Sequence, residues 1–458
     1  MEEIPGNPPL RQPNPAPAFT APGAPEPPAP PGEDPRPIRL VIVDPALERS
    51  RLTVLVRLVL AIPLLVWLGL WTFVTLFVGI VTWFVVLFKA ELPASLQDYF
   101  SSYVRFTAHV NAYLSFAANR YPSFVGKPGY AIDVEIDPPP RHRRWTAALR
   151  LVLALPALLL STTLAGSVPL PSSGASATTW GLSLQGGGAL FVVGVLGWFV
   201  CLVRGRMAAG MRDLAAYAIG YGVQVTGYVF FLTDRYPSAD PRCLLPTLRI
   251  PHHPVRLENG DDPRRSRLLV LLRLPLVFPH IVWLSLWSAI VYAIAPIVWL
   301  IVLILGRLPR PLHRFLAAWA RAIGQLTAFA TLVGGPFPGF VGASGYPVDL
   351  PIDPPAPQHR AVTAFRLLLA IPSWLLASVY SSALAAIAVL LWLAGLATGK
   401  APAGLQALGA AGVRYLVQAL AYTFLLTDRY PYSSPGLDVR EQARDEPSEL
   451  IQPSSFPA

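Results

Sequence analysis

Few side chains in this 458-residue chain are of a type and spacing to do chemistry, and arginines lead them. Two arginines stand six residues apart and a proline follows six later, four times over. The sets are Arg51, Arg57 and Pro63 in RLTVLVRLVLAIP; Arg144, Arg150 and Pro156 in RWTAALRLVLALP; Arg267, Arg273 and Pro279 in RLLVLLRLPLVFP; and Arg360, Arg366 and Pro372 in RAVTAFRLLLAIP. A guanidinium is permanently charged and presents a flat fork of donors that suits carboxylates and phosphates. The inner four, Arg57, Arg150, Arg273 and Arg366, are therefore candidate contacts for anionic lipid headgroups or acidic ligands. The second recurring group is LTDRYP at 232–237 and 426–431. There Asp234–Arg235 and Asp428–Arg429 can cap a helix end or form a local ion pair. Alternatively, each aspartate reaches back to the inner arginine of its own segment, Arg150 or Arg366.

The remaining reactive residues form no catalytic pattern. Seven histidines are scattered, and only His252 and His253 adjoin; neighbours in sequence do not close a metal site without further ligands. No phosphate-binding loop or nucleophile-elbow motif occurs. Asp133, Asp137, Asp349 and Asp353 stand before prolines or at strand ends, where aspartate usually serves a turn. The glycines of 186–188 read as linker. Cys201 and Cys243 are the two cysteines, too few for a disulfide framework. No catalytic, cofactor or metal residue is assigned, and an enzyme is not expected.

Composition says what must position these groups. The chain is 53% hydrophobic and 14% charged, with mean hydropathy +0.48, whereas soluble domains are about one quarter charged. A membrane protein is expected. The net charge of +10 does not argue for nucleic acid, because the arginines gather at the edges of apolar runs. There they fix orientation and meet anionic headgroups. Residues 1–37 hold 14 of the 50 prolines and read as a disordered tail, in which PPAPPGEDPRP could serve as a polyproline ligand. Residues 433–458 are polar and read as a second loose tail.

Between the tails the sequence repeats. An offset of 216 residues carries Arg57 to Arg273 and Arg150 to Arg366. The same offset carries Trp67, Trp71 and Trp83 to Trp283, Trp287 and Trp299, and GYAIDVEIDPP (129–139) to GYPVDLPIDPP (345–355). The chain is thus an A-B-A-B array with units at 38–129, 130–246, 247–345 and 346–432. Each unit opens with an alternating stretch that reads as a strand: RLVIVDP (39–45), YAIDVEIDP (130–138), HPVRLENGDDP (253–263) and YPVDLPIDP (346–354). An apolar run of about 38 residues follows, then a less apolar helix with a polar stripe. That stripe is Asp98, Ser101, Ser102, Arg105 and His109 in the first unit, and His313, Arg314, Arg321 and Gln325 in the third. In the fourth it is Gln406, Arg414 and Gln418.

The apolar run poses a choice. As one helix, 38 residues reach about 57 Å, nearly twice a ~30 Å hydrocarbon core; folded in two, they give two crossings. The second unit carries 22 extra residues, SVPLPSSGASATTWGLSLQGGG (167–188), which suit a hairpin tip and not mid-bilayer. The expected architecture is all-α: four transmembrane hairpins, each with a short preceding strand and an amphipathic helix that lies in the interface, for eight spans. The alternative is that this helix crosses with its stripe turned inward, for twelve. No Lys or Arg occurs in 64–88, 157–203, 280–306 or 373–399. The positive-inside rule then opens all four hairpins towards the cytoplasm, with both termini and the strands on that side. Arg57 would snorkel to the headgroups and Pro63 would kink the run. The tryptophans would anchor at the interface or pack between hairpin arms.

The complete unit resembles a family of prokaryotic membrane proteins catalogued as domain of unknown function 4389. RLVLAIP (57–63), RLLLAIP (366–372), FLTDRYP (231–237) and LLTDRYP (425–431) carry the likeness, which covers most of 38–433. The first and third units depart from it, with NRYP (119–122) and GPFP (335–338) where the others have TDRYP. The resemblance implies a multi-pass protein of the bacterial inner membrane but brings no activity. Two functions follow from the sequence. The favoured one is a non-enzymatic scaffold that binds lipids, or protein partners through its cytoplasmic strands and proline-rich tail. The other is a small-solute or lipid transporter with its pathway between the two blocks, since duplication is common in transporters. Against the transporter, no Asp or Glu lies deep in an apolar run.

Overall fold

Apolar length and turn chemistry set the architecture. The computed structural model describes residues 36–436 except Pro45, Pro140, 166–187, 246–250, His252 and 260–263. The proline-rich tail, the chain beyond 436 and the insert of the second unit lie outside the described residues. In chain order the first unit comprises β1 (Ile38–Ile42), α1 (Arg51–Lys89) and α2 (Ala94–Leu114). The second has β2 (Ile132–Ile136), α3 (Arg144–Ala148), α4 (Arg150–Ala165), α5 (Ala189–Arg204), α6 (Ala209–Val229) and α7 (Pro241–Leu244). The third has β3 (Glu258–Asn259), α8 (Arg267–Leu271), α9 (Arg273–Leu305) and α10 (Arg310–Ala330). The fourth has β4 (Val348–Asp349), α11 (Arg360–Ala364), α12 (Arg366–Thr398) and α13 (Ala403–Thr423).

The expected hairpins are not formed. α1 is one helix of 39 residues, and α9 and α12 are single helices of 33. The hairpin reading rested on bilayer thickness, whereas the backbone answers to local signals. Residues 64–88 contain Gly69 and Gly79 but no turn-forming pair, and Pro63 is absorbed inside α1. In the second unit the run is interrupted, yet its halves are laid in succession along α6. Tyr221 Oη of α6 lies 3.4 Å from the Ala157 carbonyl of α4, and Cys201 of α5 meets Met207 in the turn before α6. The continuous α12 packs on both α4 and α5. Both halves of the run thus pack on α6 and on α12, as the continuous helix of the fourth unit does on its own short helix.

Among the described residues, three helices are long and apolar enough to cross a membrane: α1, α9 and α12. They differ in cover. The apolar windows of α1 and α9 are 11% and 17% buried, that of α12 50%. α1 buries one stripe, Val54, Arg57, Ala61, Leu64, Thr75, Thr82 and Val86. It leaves Leu58, Val59, Ile62, Leu65, Val66, Leu70 and Phe73 exposed. The outer units thus bear open apolar faces, while α12 lies between blocks.

The strands pair within each block. β1 and β2 are antiparallel from Ile38↔Ile136 to Ile42↔Ile132, and β3 pairs antiparallel with β4. Each block also closes reciprocally. The Arg49 N–H donates to the Gly205 carbonyl, in the turn after α5, at 2.8 Å. The His142 N–H donates to the Ala90 carbonyl, in the turn after α1, at 2.9 Å. Arg265 to Gly399 and Gln358 to Gly306, both 2.8 Å, repeat this in the second block. The two units of a block are therefore related by an approximate two-fold rotation, and their long helices run in opposite directions. The blocks join through their even units. Gly210 lies so close to Ser433 that a Cβ would stand 3.0 Å from its backbone nitrogen, and Gly404 meets Asp240 at 2.8 Å in the same sense.

Candidate functional site: the arginine clamps

Each 21-residue helix, α2, α6, α10 and α13, ends in the same strained way. The second residue past its end is a bulky one in the left-handed region: Phe116, Phe231, Leu332 and Leu425, with φ of 58° to 63°. A left-handed conformation costs a non-glycine residue roughly 1–2 kcal/mol. The helix end also leaves carbonyls without intrahelical donors and carries partial negative charge. The inner arginine lies over this turn in every unit.

In the first unit Arg57 Nη2 donates to the Ala118 and Asn119 carbonyls at 2.9 and 3.1 Å. Its guanidinium stacks 4.1 Å above the Tyr113 ring and 4.5 Å from that of Phe116. Arg49 reinforces it, donating to the Phe116 and Ala117 carbonyls at 3.2 and 3.0 Å. In the third unit Arg273 donates to Gly334 and Gly335 at 2.6 and 2.8 Å above Phe329, and Arg265 donates to Val333 at 3.2 Å. The odd units thus gather two guanidinium groups on a ring of carbonyls.

The even units use different chemistry at the same place. Arg150 donates to the Tyr228 carbonyl at 2.6 Å, to the Thr233 carbonyl, and to Asp234 Oδ1 at 2.7 Å. His142 Nδ1 lies 2.6 Å from the same carboxylate oxygen. Arg366 donates to the Thr427 carbonyl and to Asp428 Oδ1, both at 3.0 Å, and to Gln358 Oε1 at 2.7 Å. Burial acts to raise the Asp234 carboxyl, but the hydrogen bonds from His142 and Arg150 outweigh it and hold its pKa below the usual carboxylate value.

The outer arginines close the other helix ends, across units. Arg51 donates to Val203 in the last turn of α5 at 3.1 Å, and Arg144 to Phe88 in the last turn of α1 at 3.3 Å. Arg267 to Ala397 and Arg360 to Ile304, at 3.2 and 3.1 Å, complete the set. A cation at a helix C-terminus stabilises it by about 0.3–1 kcal/mol. The six-residue spacing thus sends one arginine to the helix of its own unit and the other to the long helix of the partner unit.

The sequence-derived site residues are placed as follows. Arg57, Arg150, Arg273 and Arg366 are each at most 2% exposed, so they face the protein interior and do not reach the surface where a headgroup would sit. Asp234 and Asp428 pair with the inner arginine of their own unit. Arg235 and Arg429 donate backbone N–H groups to the Thr233 and Thr427 hydroxyls, each at 3.1 Å. The polar stripes of the short helices point at strands and loops. Arg105 donates to the Val134 carbonyl and Arg321 to Leu350, both at 3.1 Å, while Gln418 donates to Val255 at 2.9 Å. His109, pushed down in pKa by burial, meets Asp133 at 3.1 Å. Asp133 and Asp349 accept from Gly129 and Gly345, the turn chemistry expected of them. The indoles of Trp67 and Trp283 donate to the Phe124 and Phe340 carbonyls at 2.9 and 2.8 Å. Among the described residues no three His, Cys, Asp or Glu side chains converge on a metal position.

Sequence reasoning missed Arg49, His142, Arg265 and Gln358, the second member of each clamp. A signal existed: all four stand two residues before an outer arginine. The family model described as Domain of unknown function (DUF4389) matches residues 51–126, 185–239, 267–339 and 360–434, more than half of the chain. Three of the four segments begin at an outer arginine, whereas the second begins at residue 185, near the end of the insert, and leaves Arg144 and Arg150 unmatched. No curated protein and no solved structure matches the chain.

Proposed function

We propose that the chain, which belongs to the DUF4389 family, is a membrane-embedded, non-enzymatic scaffold. Its apolar long helices hold it in lipid, and its paired strands and short helices form a polar face for protein partners. The observation that carries this reading is the open face of α1, where Leu58, Ile62, Leu65, Val66, Leu70 and Phe73 are exposed along one continuous helix. Soluble monomers rarely expose apolar patches beyond a few hundred Å², and this one runs about 58 Å at 1.5 Å per residue.

The repeated arginines support a scaffold over a transporter, because their donors are turned to helix ends inside each block and not to a pathway between blocks. The test is fractionation of expressing cells. The scaffold stays in the membrane pellet through an alkaline carbonate wash, and the purified chain in sealed proteoliposomes moves no tracer solute. Release into the supernatant, or carrier-like flux, contradicts it.

A further inference from the structure

Three observations fix how the long helices meet the bilayer, given the membrane reading above. The first is the depth of the sheets. The middle of α1 packs on α2: Thr72 and Thr75 hydroxyls meet those of Tyr103 and Tyr99 at 3.0 and 2.9 Å. The middle of α2 is tied in turn to β2 through Arg105 and Val134. On that sheet Arg39 lies 3.5 Å from both Glu135 and Asp137, with all three side chains 45–59% exposed. The second block repeats this with Trp319 on Ser288, Arg321 on Leu350, and an Arg256–Asp353 ion pair at 3.0 Å. An upright α1 would hold this open ionic cluster near mid-bilayer, where exposed charge is strongly unfavourable.

The second observation is that the two ends of each block are alike. Arg51 sits at the junction of α1 and α5, Arg144 at the junction of α3 and α1, and the approximate two-fold rotation exchanges them. Upright helices would place equivalent basic clusters on both faces of the membrane, against the cytoplasmic bias of Arg and Lys. The third is length. α1 extends about 58 Å against a hydrocarbon core of ~30 Å.

We propose that α1, α9 and α12 do not cross the bilayer but lie in the plane of one leaflet, the anionic cytoplasmic one. A helix about 10 Å across fits the ~15 Å of acyl chain in a single leaflet. The exposed apolar faces then rest in hydrocarbon, and the exposed outer arginines at the helix ends, Arg51, Arg144, Arg267 and Arg360, meet phosphate headgroups at one depth. Both sheets face water on that same side. The two-fold axis of each block runs along the membrane normal, so straight helices satisfy the charge bias without any hairpin.

The test uses full-length chain in a background with both native cysteines replaced, Cys201→Ala and Cys243→Ser, carrying single cysteines at exposed positions: Ser50→Cys before α1, Glu91→Cys after it, and Glu135→Cys on the sheet. Carbonate-washed inverted and right-side-out vesicles are treated with a membrane-impermeant maleimide. In-plane helices give labelling of all three sites from the cytoplasmic face, at least tenfold over the other face. Labelling of Ser50→Cys and Glu91→Cys from opposite faces, or from both faces alike, overturns the proposal while leaving the scaffold reading intact. Loss of the chain in the carbonate wash defeats the scaffold reading itself.

Discussion

The odd and even units solve one problem with two chemistries. Arg57 and Arg273 bind helix-end carbonyls beside a second arginine, with aromatic rings beneath them. Arg150 and Arg366 bind the same carbonyls, but with an aspartate and a neutral or weakly basic side chain, His142 or Gln358, in the other places. Asn119 and Gly335 stand where Asp234 and Asp428 stand in the even units. The constant element is the inner arginine and its carbonyl ring; the counter-ion is optional. A job shared by all four units must therefore be the closing of a strained helix end, since the ion pair exists in only two.

The comparison can be broken by removing parts in turn. Arg366→Met leaves Asp428 without its cation and the Thr427 carbonyl without a donor, and should destabilise the fourth unit by about 3–5 kcal/mol. Arg57→Met removes donors but strands no carboxylate, so the loss should be nearer 1–3 kcal/mol. Detergent melting curves of the two variants measure the difference, and equal losses would make the counter-ion irrelevant. Asp428→Ala should cost less than Arg366→Met, because the carbonyl and Gln358 contacts of Arg366 survive it; an unchanged melting point would remove the Arg366–Asp428 pairing from the account. Asn119→Asp, which gives the first unit the even-unit pattern beside Arg57, should raise stability by roughly 0.5 kcal/mol, since the position is exposed.

Acid should distinguish the two kinds of clamp most gently. The Asp234 pKa is depressed in the folded chain, so its contribution is full above the ordinary carboxylate value and fades as pH falls through the folded one. Below about pH 4, amide exchange should rise at 230–236 before it rises at 116–120, where no carboxylate takes part in the clamp. Simultaneous rises would deny that Asp234 supports its turn.

Much of this was legible in the chain. The fourfold arginine spacing, the A-B-A-B repeat, the four strand positions and the reach of Asp234 and Asp428 to their own inner arginines were all open to reading. The hairpins were a misreading, because bilayer thickness was set against residues such as Leu70, Trp71 and Thr72 that carry no turn signal. The partners of the arginines were hidden for a different reason. Every residue owns a carbonyl, so nothing in sequence marks those of Ala118 or Gly334 as acceptors; only the left-handed turn after each short helix exposes them. The reciprocal docking of Arg49 on Gly205 and His142 on Ala90 depends on backbone hydrogen bonds across more than 50 residues, which side-chain identity does not encode.

The central claim is that the inner arginines act on helix ends and not on lipid. Hydrogen exchange and native mass spectrometry on the Arg366→Met chain, in nanodiscs containing anionic lipid, test it together. The account predicts faster exchange confined to the end of α13 and residues 424–430, with retained anionic lipid unchanged. Loss of bound lipid with exchange at 424–430 unaltered would contradict it.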